Sequence, residues 1–82
     1  MKIKVKLFGP LRQHLPADTK GRIAEIDLPD QATIDDLAVH LGIEEEPAVV
    51  SLNDQEAHRG RKLQEGDVIA FFPPLAGGQG NF

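Results

Sequence analysis

Two runs of strict two-residue alternation precede the only stretch with a helical period, and that order excludes most folds open to an 82-residue chain. From Lys2 to Phe8, Ile3, Val5 and Leu7 fall on one side and Lys2, Lys4 and Lys6 on the other, which is the pattern of a strand with one face buried. From Arg22 to Leu28 the alternation returns, with Ala24, Ile26 and Leu28 on one face and Arg22, Glu25 and Asp27 chiefly on the other. Between them Gly9-Pro10 ends the first run, Leu11 to Leu15 can form a helical turn before Pro16, and Asp18 to Gly21 reads as a turn. Two strands joined by a loop, with no helix-length segment between them, form a hairpin. A sheet built from alternating parallel strands and helices is thereby excluded.

One short helix follows. Thr33 is a good N-cap, Asp36 stands three residues on to answer it, and Ile34, Leu37, Ala38 and Leu41 recur at helical spacing before Gly42, a natural terminator. His40 near its C-terminus suits the helix dipole better than it suits catalysis. Glu44-Glu45-Glu46-Pro47 is an acidic loop; Ala48 to Leu52 is a third strand, and Asn53-Asp54 turns the chain back through Glu56 to His58. Arg59, Arg61 and Lys62 make a basic loop, and Val68 to Phe72 is a final apolar strand behind Gly66-Asp67. The fold class is α+β: a roll with a mixed sheet of about five strands and one main helix on one face, the first and last strands lying side by side in its middle. Ile3, Val5, Leu7, Ile26, Leu28, Ile34, Leu37, Leu41, Val50, Leu52 and Val68 are expected to supply most of the core.

Composition narrows the function. A chain of this length buries only about 60 to 65% of its unfolded surface, enough for one core. A formal charge of −4 argues against nucleic acid and anionic membranes as partners, and no run approaches the ~20 apolar residues of a membrane span, so a cytoplasmic location is expected. With no cysteine there is no thiolate ligand or cysteine nucleophile, and His14, His40 and His58 are too far apart for a local zinc motif. The three N-terminal lysines are better explained as solvation of a strand face than as a docking stripe.

The end of the sequence is the least ordinary part. Phe71-Phe72 runs directly into Pro73-Pro74, which lack N–H donors and stop the ladder, and then into Leu75-Ala76-Gly77-Gly78. A core strand that feeds a stiff spacer and then a bare backbone holds a chain end out for another protein to use. The division expected is a domain over residues 1–76 and a flexible tail over residues 77–82. Because one helix covers one sheet face only, the opposite face, with Phe71 or Phe72 near its end, is expected to bind a larger partner, and the isolated chain to be mostly monomeric.

These residues resemble the ubiquitin-like sulfur-carrier family, whose fold is the β-grasp. The resemblance rests on Lys2 to Gly9 with Leu11-Arg12, Thr33-Ile34 with Leu37 and Leu41, Leu52-Asn53, and above all Leu63 with Gly66 to Pro74 and Gly77-Gly78. The Phe-Phe-Pro-Pro run before the di-glycine is most similar to the small subunit of molybdopterin synthase. The resemblance implies a carrier rather than a stand-alone enzyme. A partner of the ubiquitin-activating type would adenylate the carboxylate of Gly78, and sulfur would displace AMP to leave a thiocarboxylate. Gly77 would let the tail thread, and Phe71, Phe72, Pro73, Pro74, Leu75 and Ala76 would be its partner-binding stretch. ATP and sulfur would come through the activating partner, with no cofactor or metal held by this chain. Here Gln79-Gly80-Asn81-Phe82 follows Gly78, so its carbonyl lies in a peptide bond. Processing between Gly78 and Gln79, by a metallopeptidase, would be required first. The extension leaves open whether sulfur goes to molybdopterin, cysteine, thiamine or another natural product.

Other readings carry less weight. Gly77-Gly78-Gln79 spells a tripeptide of translation termination factors, but those are large multidomain proteins. A phosphate-cradling loop at Gly77 to Gly80 lacks the helix that must follow it. Glycines at a chain end often do nothing but fray. The main rival from a different class is a β-grasp interaction module that uses its sheet face and never its tail.

Overall fold

The computed structural model describes residues 1–74. Five strands, β1 (Lys2–Leu7), β2 (Ile23–Asp27), β3 (Val49–Leu52), β4 (Gln55–Glu56) and β5 (Val68–Phe72), form one sheet in the order β2-β1-β5-β3-β4. β1 and β5 run parallel at its centre, and every other neighbouring pair is antiparallel. This is the mixed β-grasp arrangement that the order of periods predicts. The connection after β1 is a 3-10 helix, Gly9–His14, with Pro10 in its first turn and Leu11 buried beneath it.

The single α-helix among the described residues, α1 (Ile34–Leu41), has the expected boundaries for the expected reasons. Asp36 N donates to Thr33 Oγ1 at 3.1 Å and Thr33 N donates to Asp36 Oδ2 at 2.9 Å, so both halves of the capping box are made. Two further donors of the first turn are met from outside, Ile34 N by Arg61 O and Asp35 N by Arg59 O. At the other end Gly42 adopts φ 78°, and the chain then buries Ile43 completely.

Ile34, Leu37, Ala38 and Leu41 of α1 share one buried cluster with Ile3, Val5 and Leu7 of β1, Ala24 and Ile26 of β2, Val50 and Leu52 of β3, and Ile69 and Phe71 of β5. The sequence places Val68 in this core, and the structure corrects that. Val5 pairs with Ile69 and Leu7 with Phe71, so those β5 residues share the inner face, while Val68 stands opposite Lys4 on the outer one and is half-buried. Every position from Val68 to Phe72 is apolar, so the run carries no alternation from which its parity could be read; the register with β1 sets it.

A polar pin fixes where β5 starts. Asn53, in a turn with positive φ at Asn53 and Asp54, accepts a hydrogen bond from Val68 N at 2.9 Å and donates to Asp67 Oδ1 at 3.1 Å. Asp67 Oδ2 also accepts from Gln64 N at 2.7 Å. The β3–β4 turn and the entry to β5 are thus tied together, which sets the register that carries the chain out at Phe72.

Candidate functional site at the end of β5

Because β1 and β5 are parallel neighbours, both leave the sheet at the same end. Phe8 N, just beyond β1, donates to Phe71 O at 3.1 Å, extending the pairing by one residue. The rings of Phe8 and Phe72 stack on the outer side with centroids 4.6 Å apart and planes within 4° of parallel. The next residue, Gly9, has φ +58°, and a Cβ built there would stand 3.0 Å from Pro73 Cγ. The absence of a side chain at Gly9 lets the first proline of the tail lie against the chain as it turns into the 3-10 helix. The direction in which β5 leaves the sheet is therefore held by a hydrogen bond, a ring stack and a backbone packed against a proline.

Around this exit lie four of the large exposed apolar residues: Phe8, Phe72, Val49 opposite Phe72 in the β3–β5 register, and Ile23 opposite Lys6 in the β1–β2 register. Ala70, although on the outer face, is buried. Among the described residues no element covers the outer face at this end, where the apolar residues gather about Lys6, whereas farther along the face carries Lys4 opposite Glu25 and Lys2 opposite Asp27.

The structure distributes the expected site residues unevenly. Phe72 is exposed, Pro73 half-buried and Pro74 exposed, so all three are available to a partner. Phe71 is a correction: its side chain is fully buried in the core, because it shares the inner face with Leu7, and only its backbone serves the exit. Leu75, Ala76, Gly77, Gly78 and Gln79 lie outside the described residues. Phe8, Gly9, Val49 and Ile23 join the site only through the sheet pairing, and apart from Phe8 local sequence does not mark them as site residues. For Phe8 a signal existed, since parity puts it on the same side as Lys2, Lys4 and Lys6, and an aromatic in a row of lysines marks where that face stops being solvated.

Among the described residues no group of three or more His, Asp or Glu side chains comes together as a metal site would require. His58 spends Nδ1 on Gly60 N at 3.1 Å, shaping its own loop. Arg59 is also structural. Its guanidinium donates to Glu46 O at 2.7 Å and Glu44 O at 3.4 Å, and lies 3.7 Å from Asp35, holding the acidic loop against the start of α1. No helix among the described residues is long and apolar enough to cross a membrane.

Comparison with solved structures returns proteins of this shape. Small archaeal modifier protein 1 of Haloferax volcanii matches at 25% identity over 90% of this chain and 98% of its own, with a TM-score of 0.71. A Pyrococcus furiosus protein described as molybdopterin converting factor subunit 1 matches at 28% identity, 90% and 98% coverage and a TM-score of 0.72. A chain of the complex between subunits 1 and 2 of the molybdopterin-converting factor of Helicobacter pylori matches at 26% identity, 94% and 99% coverage and a TM-score of 0.61. No curated protein sequence matches. These neighbours share the ubiquitin-like sulfur-carrier fold, and the ThiS family model matches residues 5–78, from the middle of β1 through the second glycine of the tail. With that match running over nearly the whole sequence, the chain belongs to the ThiS family.

Proposed function

We propose that this chain carries sulfur on Gly78 as a C-terminal thiocarboxylate, formed after residues 79–82 are removed. The observation that supports this most is the match of the family model through Gly78, joined to an exit at Phe72 that is fixed in direction and exposed among the described residues. Water first cleaves the Gly78–Gln79 amide and frees a carboxylate. In an adenylating partner that carboxylate attacks the α-phosphate of ATP, expelling pyrophosphate. A hydrosulfide-level nucleophile then adds to the acyl carbon and expels AMP, leaving one oxygen replaced by sulfur. The chain's own contribution is delivery. An acyl-adenylate is made inside another protein's site, where a Cβ at Gly77 or Gly78 would obstruct the channel.

The apolar outer face at Phe8, Phe72 and Val49 is the docking surface in this reading, for the adenylating enzyme and in turn for a larger sulfur-accepting subunit. The Helicobacter pylori neighbour, a complex of subunit 1 with subunit 2, supports pairing of that kind. Molybdenum cofactor synthesis is the pathway that the Phe-Phe-Pro-Pro run favours, with cysteine, thiamine and natural-product sulfur as its competitors. The test is ATP–pyrophosphate exchange with the adenylating enzyme of the same host. A chain ending at Gly78 supports exchange, the 82-residue chain does not, and Gly78→Ala at the end of the shortened chain loses most of it. Equal exchange from all three would overturn the proposal.

A further inference from the structure

Charge around the exit is sorted by side. On the β1–β2 side Lys6, Arg12 and Arg22 border a shallow cleft of about 300 Å³ that also takes in Phe8 and Ile23. On the β3 side Glu44, Glu45 and Glu46 border a second cleft with Val49 and Pro74, whose floor also carries the paired Asp35 and Arg59, so its unpaired charge is acidic. β5 lies between, since the sheet order places β1 on one side of it and β3 on the other. Among the described residues neither group has an ion-pair partner within 4.0 Å; the pairs present are Met1 with Asp30 and Arg59 with Asp35. The seam between the groups is apolar, formed by Phe8, Phe72 and Val49.

The acidic side is also held in place. Arg59 reaches the carbonyls of Glu44 and Glu46, so the backbone under these carboxylates is fixed while their side chains remain exposed. Three adjacent carboxylates on a fixed loop, with Arg59 turned to the backbone and to Asp35, repel one another, and a partner that neutralises them gains from a surface already ordered.

We infer that the chain docks a protein whose surface is polarised in the opposite sense, acidic where it meets Lys6, Arg12 and Arg22 and basic where it meets Glu44 to Glu46, with an apolar strip between for Phe8 and Phe72. This deepens the docking role given to this face above and rests on it. The two flanks fix orientation: a partner turned half-way round about the exit would set like charges against each other on both sides, so only one approach presents the tail correctly. Nucleic acid fits poorly, because the acidic flank and the net charge of −4 both oppose it.

The test titrates the shortened chain, ending at Gly78, with the adenylating enzyme of the same host at low and high salt. The variants are Lys6→Glu/Arg12→Glu/Arg22→Glu, Glu44→Lys/Glu45→Lys/Glu46→Lys, and Phe72→Asp, with the corresponding Gln substitutions at both flanks in case a reversal impairs folding. Each flank reversal is expected to weaken binding about tenfold or more, mainly through slower association, and added salt to weaken the unaltered chain while narrowing the difference. Flank variants that bind as the unaltered chain does, while Phe72→Asp loses binding, overturn the polarity and leave the docking face standing. Full binding by Phe72→Asp, or none by the unaltered chain, overturns both. Sedimentation of the chain alone supplies the remaining outcome. Salt-sensitive self-association abolished by either reversal, and restored by mixing the two reversed chains, would give the face to a second copy and overturn the inference.

Discussion

Gly9 stands where a side chain would meet two separate obstacles, a positive φ and the ring of Pro73 3.0 Å from where its Cβ would be. The left-handed conformation alone costs a residue with a Cβ about 1 to 2 kcal/mol. Gly9→Ala is therefore expected to lower stability by at least that amount in urea denaturation. Combining it with Pro73→Ala should recover the part due to contact but not the part due to φ; a double variant no more stable than Gly9→Ala would show that Pro73 is not what the added methyl strikes. Leu37 makes a different case. It is fully buried in the cluster joining helix and sheet, so Leu37→Ala should cost about 2 to 4 kcal/mol, read as a lower denaturation midpoint. An unchanged midpoint would mean that the helix packs through another face.

At the scale of elements, the helix was the most legible part. Its cap, spacing and terminating glycine all act within a few residues, and Ile34–Leu41 forms as those local signals require. Thr33→Ala removes the acceptor of Asp36 N and should cost about 1 kcal/mol, while Thr33→Ser should be nearly neutral. The hairpin strands were legible for the same reason, since alternation states which face is buried; the pairing itself is shorter than the alternation, β1 ending at Leu7 rather than Phe8 and β2 running Ile23–Asp27 within Arg22 to Leu28. β5 is legible as a strand but not in parity: an unbroken apolar run leaves open whether Phe71 or Phe72 faces outward, and the long-range register with Leu7 puts Phe71 in the core. The basic loop could not be understood from its own residues. Arg59 is there for carbonyls of Glu44 and Glu46, thirteen and more residues away in sequence. The exit shared by Phe8, Gly9 and Pro73 was hidden likewise, because it exists only once β1 and β5 are neighbours.

For the molecule as a whole, the sheet divides two tasks between its faces. The inner face is closed by one helix, and the outer face is solvated by lysines over most of β1 but left apolar where β5 ends. The parallel centre pair makes this division useful, since it brings Phe8 beside Phe72 at the point where the chain leaves. A carrier needs such an arrangement: a stable domain for a partner to grip, and a terminus reached without unfolding it. The most direct measurement is the intact mass of the protein isolated from its own host while the pathway it serves is active. A form lacking Gln79 to Phe82, with a fraction heavier by the exchange of one oxygen for one sulfur, is the predicted result. Full-length chain alone would contradict the account and favour a module that acts through its sheet face without its tail.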